Sequence, residues 1–235
     1  MSREEVFIIA RKEIKEIVLN KGSWTSALLL AVFFSVTNVA SVMSQEGGSV
    51  GIDGTLVYIS MFIGVFTGFL LCGAVFYREK QSGVIETLLS TPLNLRTIWL
   101  GKVVGVTVPA YMMALISVGL ISGLMIATGA DIRPLQPLTV VHLAMSAPLL
   151  TAASIGLVGY VQLALGMREN RLINFGVFAL LIVGLTTSSG AVSSDLGLLQ
   201  AVVLGVLLVS AGLLALVYGL TSRLRKEKII TAIPD

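Results

Sequence analysis

The chain has 235 residues and a formal net charge of +3, with 55% hydrophobic and only 12% charged residues. Soluble globular domains carry about 25% charged residues. A water-soluble fold could not hide this much apolar surface, so the composition points to a chain solvated partly by lipid.

A bilayer core of roughly 30 Å is crossed by about 20 helical residues. Six stretches of that length or more lack Asp, Glu, Lys and Arg: 22–45, 54–77, 103–130, 134–167, 172–194 and 196–222. Lipid offers backbone groups no partner, so such segments cross as helices or as closed barrels. Barrel strands alternate apolar and polar residues, whereas 179–183 and 201–208 are apolar on every side. The expectation is an all-α, polytopic membrane protein: one membrane domain over 1–235, with six transmembrane helices.

In chain order, Phe7, Ala10, Ile14, Ile17 and Val18 recur at steps of three and four, with Arg11, Lys12, Lys15 and Glu16 on the other face. That period predicts an amphipathic helix lying in the lipid interface over 1–22. Lys21, Gly22 and Ser23 should break it, and Trp24 should anchor the start of span one at 24–43. A Gly-rich external loop at 44–54 leads to span two at 55–77, and span three follows at 103–128.

The charge-free run 134–167 would reach roughly 50 Å as one helix, and Pro148 sits within it. It predicts a separate external or interfacial segment near 137–147, then span four at 148–167. A tight turn at 168–171 precedes span five at 172–187. The Ser- and Gly-rich stretch 187–199 is apolar enough to dip back into the membrane, and span six follows at 200–221.

Basic residues orient these spans. The segments 1–21, 78–102, 167–171 and 223–235 hold five, four, two and four Lys or Arg, leaving only Arg133 elsewhere. By the positive-inside rule they are cytoplasmic, as are both termini. Positive charge spread over every internal segment explains the pI of 9.1 without nucleic acid. The first apolar run is long enough to span, so no cleaved signal peptide is expected. The single cysteine, Cys72, permits no intrachain disulfide.

The internal loop 77–102 is not merely polar. Val84, Ile85, Leu88 and Leu89 share one face of a short helix, with Glu86 and Ser90 opposite. Pro92 follows Thr91 and ends it, and Asn94 can cap the next helix. A short internal helix with an apolar face suits docking to another protein.

With those residues in view, the chain resembles the membrane subunit of type-2 ATP-binding-cassette (ABC) exporters. In that family an amphipathic helix precedes six spans. The loop after span two carries Glu, Gly, Glu, Leu-Leu and Pro, and ends at a Lys. Here those are Glu79, Gly83, Glu86, Leu88 and Leu89, Pro92 and Lys102. The resemblance covers the architecture of the whole chain, but in residues it is concentrated in 77–102. It implies a coupling helix that docks on a separate ATPase subunit through Glu79, Gly83, Val84, Ile85, Glu86, Leu88, Leu89 and Pro92. It places Phe7, Ile14, Ile17, Val18 and Trp24 at the membrane interface. It also implies re-entrant helices between spans five and six, a dimer with a second copy or a paralogue, and residence in the plasma membrane of a prokaryotic cell.

The chain has no phosphate-binding loop, since Gly101-Lys102 is followed by Val103 and lacks the upstream glycine. It is therefore expected to be a permease and not an enzyme, with ATP and Mg bound by the partner and no cofactor or metal of its own. An ion-coupled secondary transporter would need ionisable residues in its spans; the six cores hold none but His142, near an external end. A serine protease at Ser188, Ser189 and Gly190 would lack a histidine on span six. A non-transporting scaffold remains a rival. The eight methionines show no soft-metal spacing. Gly64 and Gly68, Gly101 and Gly105, and Gly119 and Gly123 suit close internal helix packing. Tyr58, Tyr77 and Trp99 should anchor the interface.

Overall fold

The computed structural model describes residues 3–43, 52–84, 93–129, 134–164, 175–176, 178–179, 182–183 and 196–222. Every regular element among them is helical: α1 (Arg3–Leu19), α2 (Lys21–Met43), α3 (Ile52–Cys72), α4 (Arg78–Gln81), α5 (Leu95–Ala127), α6 (Pro137–Val141), α7 (Ala147–Ala164) and α8 (Leu196–Thr221). Two π-helical turns, Gly73–Tyr77 and His142–Ser146, join α3 to α4 and α6 to α7 without interruption. Among the described residues, five helices are long and apolar enough to cross a membrane: Lys21–Ala40, Ile52–Phe76, Leu95–Ala127, Pro137–Ala164 and Gly197–Thr221. The expected fifth span, 172–187, lies mostly outside the described residues. One piece of it is placed by Phe178, whose ring lies 4.0 Å from Phe69 and 5.2 Å from Phe66 on α3.

Several boundaries differ from expectation. The break between α1 and α2 falls at Asn20, and Gly22 and Ser23 are helical. Asn20 sits at the N-cap of α2, and its side-chain oxygen accepts the Ser23 N–H at 3.4 Å. A cap of this kind offsets the loss of a backbone partner, so the helix starts there despite the glycine. Helix α5 begins at Leu95, eight residues before the expected span. Its 33 residues reach roughly 50 Å. Asn94 occupies its N-cap position but makes no side-chain cap bond.

The separate segment near 137–147 does not exist. Helix runs from Pro137 through Ala164, and Pro148 lies inside it. The proline is accommodated by the π-turn upstream. The Ala147 N–H reaches back to His142, and the missing N–H of Pro148 leaves the Leu143 carbonyl without its helical donor. The Tyr111 hydroxyl of α5 donates to that carbonyl instead. Residues 196–199 belong to α8, and 187–195 lie outside the described residues.

Helix α3 is the most enclosed span, apolar and buried on nearly all sides, as a central helix should be. Glycines set the close approaches. A Cβ at Gly68 would come within 2.8 Å of Ile155 on α7, and one at Gly64 would collide with Thr151. Gly156 faces Trp99 and Gly159 faces Phe76 in the same way. Trp99 is thus enclosed between helices, with Tyr218 of α8 beside it, and does not anchor an interface. Gly119 and Gly123 have nothing within reach of an added Cβ, so the internal-packing expectation fails for that pair. Small residues likewise seat α2 on α5: Ala27, Ala31 and Ser35 are buried, and Ser35 Oγ lies 3.4 Å from the Ser117 carbonyl.

Candidate coupling site

Helix α1 packs along the first turns of α5, one four-residue step over another. A Cβ at Gly101 would meet Ile9 Cβ at 2.6 Å, and one at Gly105 would meet Glu13 Cβ at 2.6 Å and the Ala10 carbonyl at 3.0 Å. Ile9, Ala10, Glu13 and Ile17 form the buried stripe of α1. The expected apolar face therefore divides. Ala10 and Ile17 turn toward the protein, Ile14 is half-buried, and Phe7 and Val18 stay exposed. Trp24, on the first turn of α2, is partly buried against the cluster containing Ala27 and Ile63.

The close approach brings Glu13, 2% exposed, onto Lys102, 1% exposed, with Nζ 2.9 Å from Oε1. Lys102 Nζ also lies 2.6 Å from Glu79 Oε2 on α4. That second contact is an ion pair without hydrogen-bond alignment. Phe76 closes the pocket, with its ring centroid 5.8 Å from the ammonium. Lys12 completes the group on the solvent side, 3.4 Å from Glu79 Oε1 and 3.5 Å from Glu13 Oε1. Burial acts against the Lys12 charge, but Glu13, Glu79 and Glu16 together outweigh it and raise its pKa above the ordinary lysine value. The cluster balances two carboxylates against two ammonium groups. An enclosed charge is tolerated only in such company, because an isolated one is very costly.

Local structure delivers Glu79 to this point. The Arg78 N–H bonds back to Gly73, closing the wide π-turn just before α4. Helix α4 ends at Gln81, and the Ser82 N–H just beyond it bonds to the Arg78 carbonyl at 2.9 Å. Gly83 follows in the left-handed region at φ +72°, a conformation natural only to glycine. Val84 beyond it is 47% exposed. Ile85, Glu86, Leu88, Leu89 and Pro92 lie outside the described residues.

The structure therefore brings together Glu79 and Lys102, the two ends of the loop pattern. It adds Glu13 and Lys12, which were not among the expected site residues. Glu13 stands three residues after Ala10 and four before Ile17, a carboxylate inside an apolar stripe. That misfit is the signal sequence reasoning passed over.

A second polar attachment lies at the other end of the bundle. Asp53, on the first turn of α3, accepts the Gln136 N–H at 3.0 Å and the Thr139 hydroxyl at 2.6 Å. It fastens the start of α6 to α3, a role its place in an expected external loop did not suggest. No family model matches the chain, and no curated protein is significantly similar to it.

Proposed function

We propose that the chain is the membrane-spanning subunit of a type-2 ABC exporter, driven by a separate ATPase subunit. One observation carries the reading: Glu79 and Lys102, the first and last residues of the resembling loop pattern, meet 2.6 Å apart. The loop between them is closed at its base. A push on residues 84–92 then has short routes into α3 through α4, into α5 through Lys102 and into α1 through Glu13. A connector without mechanical duty needs no buried ion pair at its base, where desolvation costs several kcal/mol per charge.

In this reading Gly83, Val84, Ile85, Glu86, Leu88, Leu89 and Pro92 form the docking element, and Glu79 transmits its movement. The chain crosses the cell membrane six times with both termini in the cytoplasm. Two copies, or one copy and a paralogue, enclose the pathway, while ATP and Mg stay on the partner.

The test is to co-express the chain with a candidate phosphate-loop ATPase subunit and purify the two together, in wild-type form and as Leu88→Asp/Leu89→Asp. The double variant should lose co-purification and stimulated ATP hydrolysis while unfolding at the wild-type temperature. Intact docking and unchanged stimulation would reject the coupling assignment. Gradient-driven uptake by the chain alone in liposomes would favour a secondary transporter.

A further inference from the structure

His142 is the only histidine of the chain and is wholly enclosed. It opens the π-helical turn His142–Ser146, and its Nε2 lies 3.3 Å from Ser60 Oγ on α3. A serine hydroxyl has one hydrogen to give. Ser60 directs it to the Val57 carbonyl at 2.9 Å. Ser60 is therefore the acceptor toward the ring. This pattern assigns the hydrogen of the neutral imidazole to Nε2. Nδ1 is left as a bare lone pair with no hydrogen-bond partner. A proton added at Nδ1 would create a buried charge and a buried N–H with no acceptor among the described residues, which is strongly unfavourable.

The same stretch of helix is held to its neighbours on both sides of His142. Asp53 grips Gln136 and Thr139, and Tyr111 grips Leu143. Ser146 Oγ adds a long contact of 3.5 Å to the Val203 carbonyl of α8. The titratable groups around the ring are few. Helix α3 supplies Asp53 and Tyr58 and α5 supplies Tyr111, while the described part of α8 carries only Tyr218, near its opposite end. Phenols ordinarily ionise near ~10, so Asp53 is the one competing acid.

We propose that His142 makes this attachment acid-sensitive: a proton on its ring releases the turn at 137–146 from α3 and opens that end of the bundle. The inference does not depend on the exporter assignment.

Hydrogen–deuterium exchange of 137–147, corrected for the intrinsic rate, tests it between about pH 7.5 and 5.5, across the ordinary imidazole value of ~6.5. Wild-type protection should fall about tenfold on acidification, roughly one pH unit of linked protonation. His142→Gln keeps a donor toward Ser60 but cannot titrate, and should stay flat. Asp53→Asn should keep the fall. Unchanged wild-type protection, a fall that persists in His142→Gln, or a fall abolished by Asp53→Asn would each overturn the proposal. Should His142→Gln fail to fold, ¹⁵N-histidine NMR of the untagged wild type reads the single ring directly. The Nε2–H form should predominate at the higher pH, and wherever the charged form appears on further acidification the protection of 137–147 should already have fallen. An Nδ1–H form, or titration without loss of protection, would refute the proposal.

Discussion

The Tyr111 hydroxyl on α5 donates to the Leu143 carbonyl, the group that Pro148 cannot serve five residues later. A proline in the middle of a span is thus tolerated because a neighbouring helix replaces the absent backbone donor. Tyr111→Phe should destabilise the protein by roughly 1–3 kcal/mol, the usual result of leaving a buried carbonyl unmet. In a Pro148→Ala background the helix regains a donor there, so the same substitution should cost less. Denaturant unfolding in mixed micelles gives the cycle; equal costs in the two backgrounds would show that the carbonyl finds another partner.

Lys102 holds two buried carboxylates. Lys102→Met should therefore cost roughly 3–5 kcal/mol, the range for a buried pair that loses one partner. The triple change Lys102→Met/Glu13→Gln/Glu79→Gln removes the stranded charges together and should recover most of that loss. Thermal unfolding of the three proteins decides the point. A triple variant no more stable than Lys102→Met would mean that the lysine acts through packing and not through charge.

The glycines separate into two kinds. Gly105→Val drives a side chain into Ala10 and Glu13 and should cost roughly 1–3 kcal/mol by overpacking, with α1 released to limited proteolysis. Gly119→Ala and Gly123→Ala meet nothing within 4 Å and should be neutral or slightly stabilising, since alanine favours helix. Cleavage within 3–19 that is unchanged in Gly105→Val would argue that α1 does not need that approach.

Lys12 gives a pH dependence of known sign. Its pKa is higher in the folded protein than the ordinary 10.5, so its ion pairs stabilise fully below that value and lose their effect as the pH climbs through the raised one. The side chain is half-exposed, which limits the effect to about 1 kcal/mol or less. The stability difference between wild type and Lys12→Met should be constant at neutral pH and vanish in strong alkali. A difference that grows with alkalinity would contradict the assignment.

The five long apolar helices were legible because charge is so costly in lipid that its absence marks such segments directly. Their ends were less so. Arg96 and Lys102 halted the charge-free run at Val103, although the helix continues outward to Leu95, where Lys102 is neutralised by residues far away in the chain. Pro148 resembled a break because nothing local announces a π-turn or a tyrosine on another helix. Gly22 resembled a break because glycine is the commoner stop, whereas Asn20 acted by capping. Glu79 and Lys102 were both singled out as the ends of the loop pattern. That they touch, and that Lys102 joins Glu79 to Glu13, depends on tertiary packing that no local pattern encodes.

The seat of α1 also has a consequence for biogenesis. Glu13 precedes its buried partner Lys102 by 89 residues. At about 5–20 residues per second of synthesis, the carboxylate waits roughly 5–20 s before that partner is made. During that interval Ile9, Ala10 and Glu13 have no groove at Gly101 and Gly105 to enter. Helix α1 can therefore take its native position only after the first turns of α5 have been made. A chain truncated before Gly101 leaves the Ile9, Ala10 and Glu13 stripe of α1 without its groove.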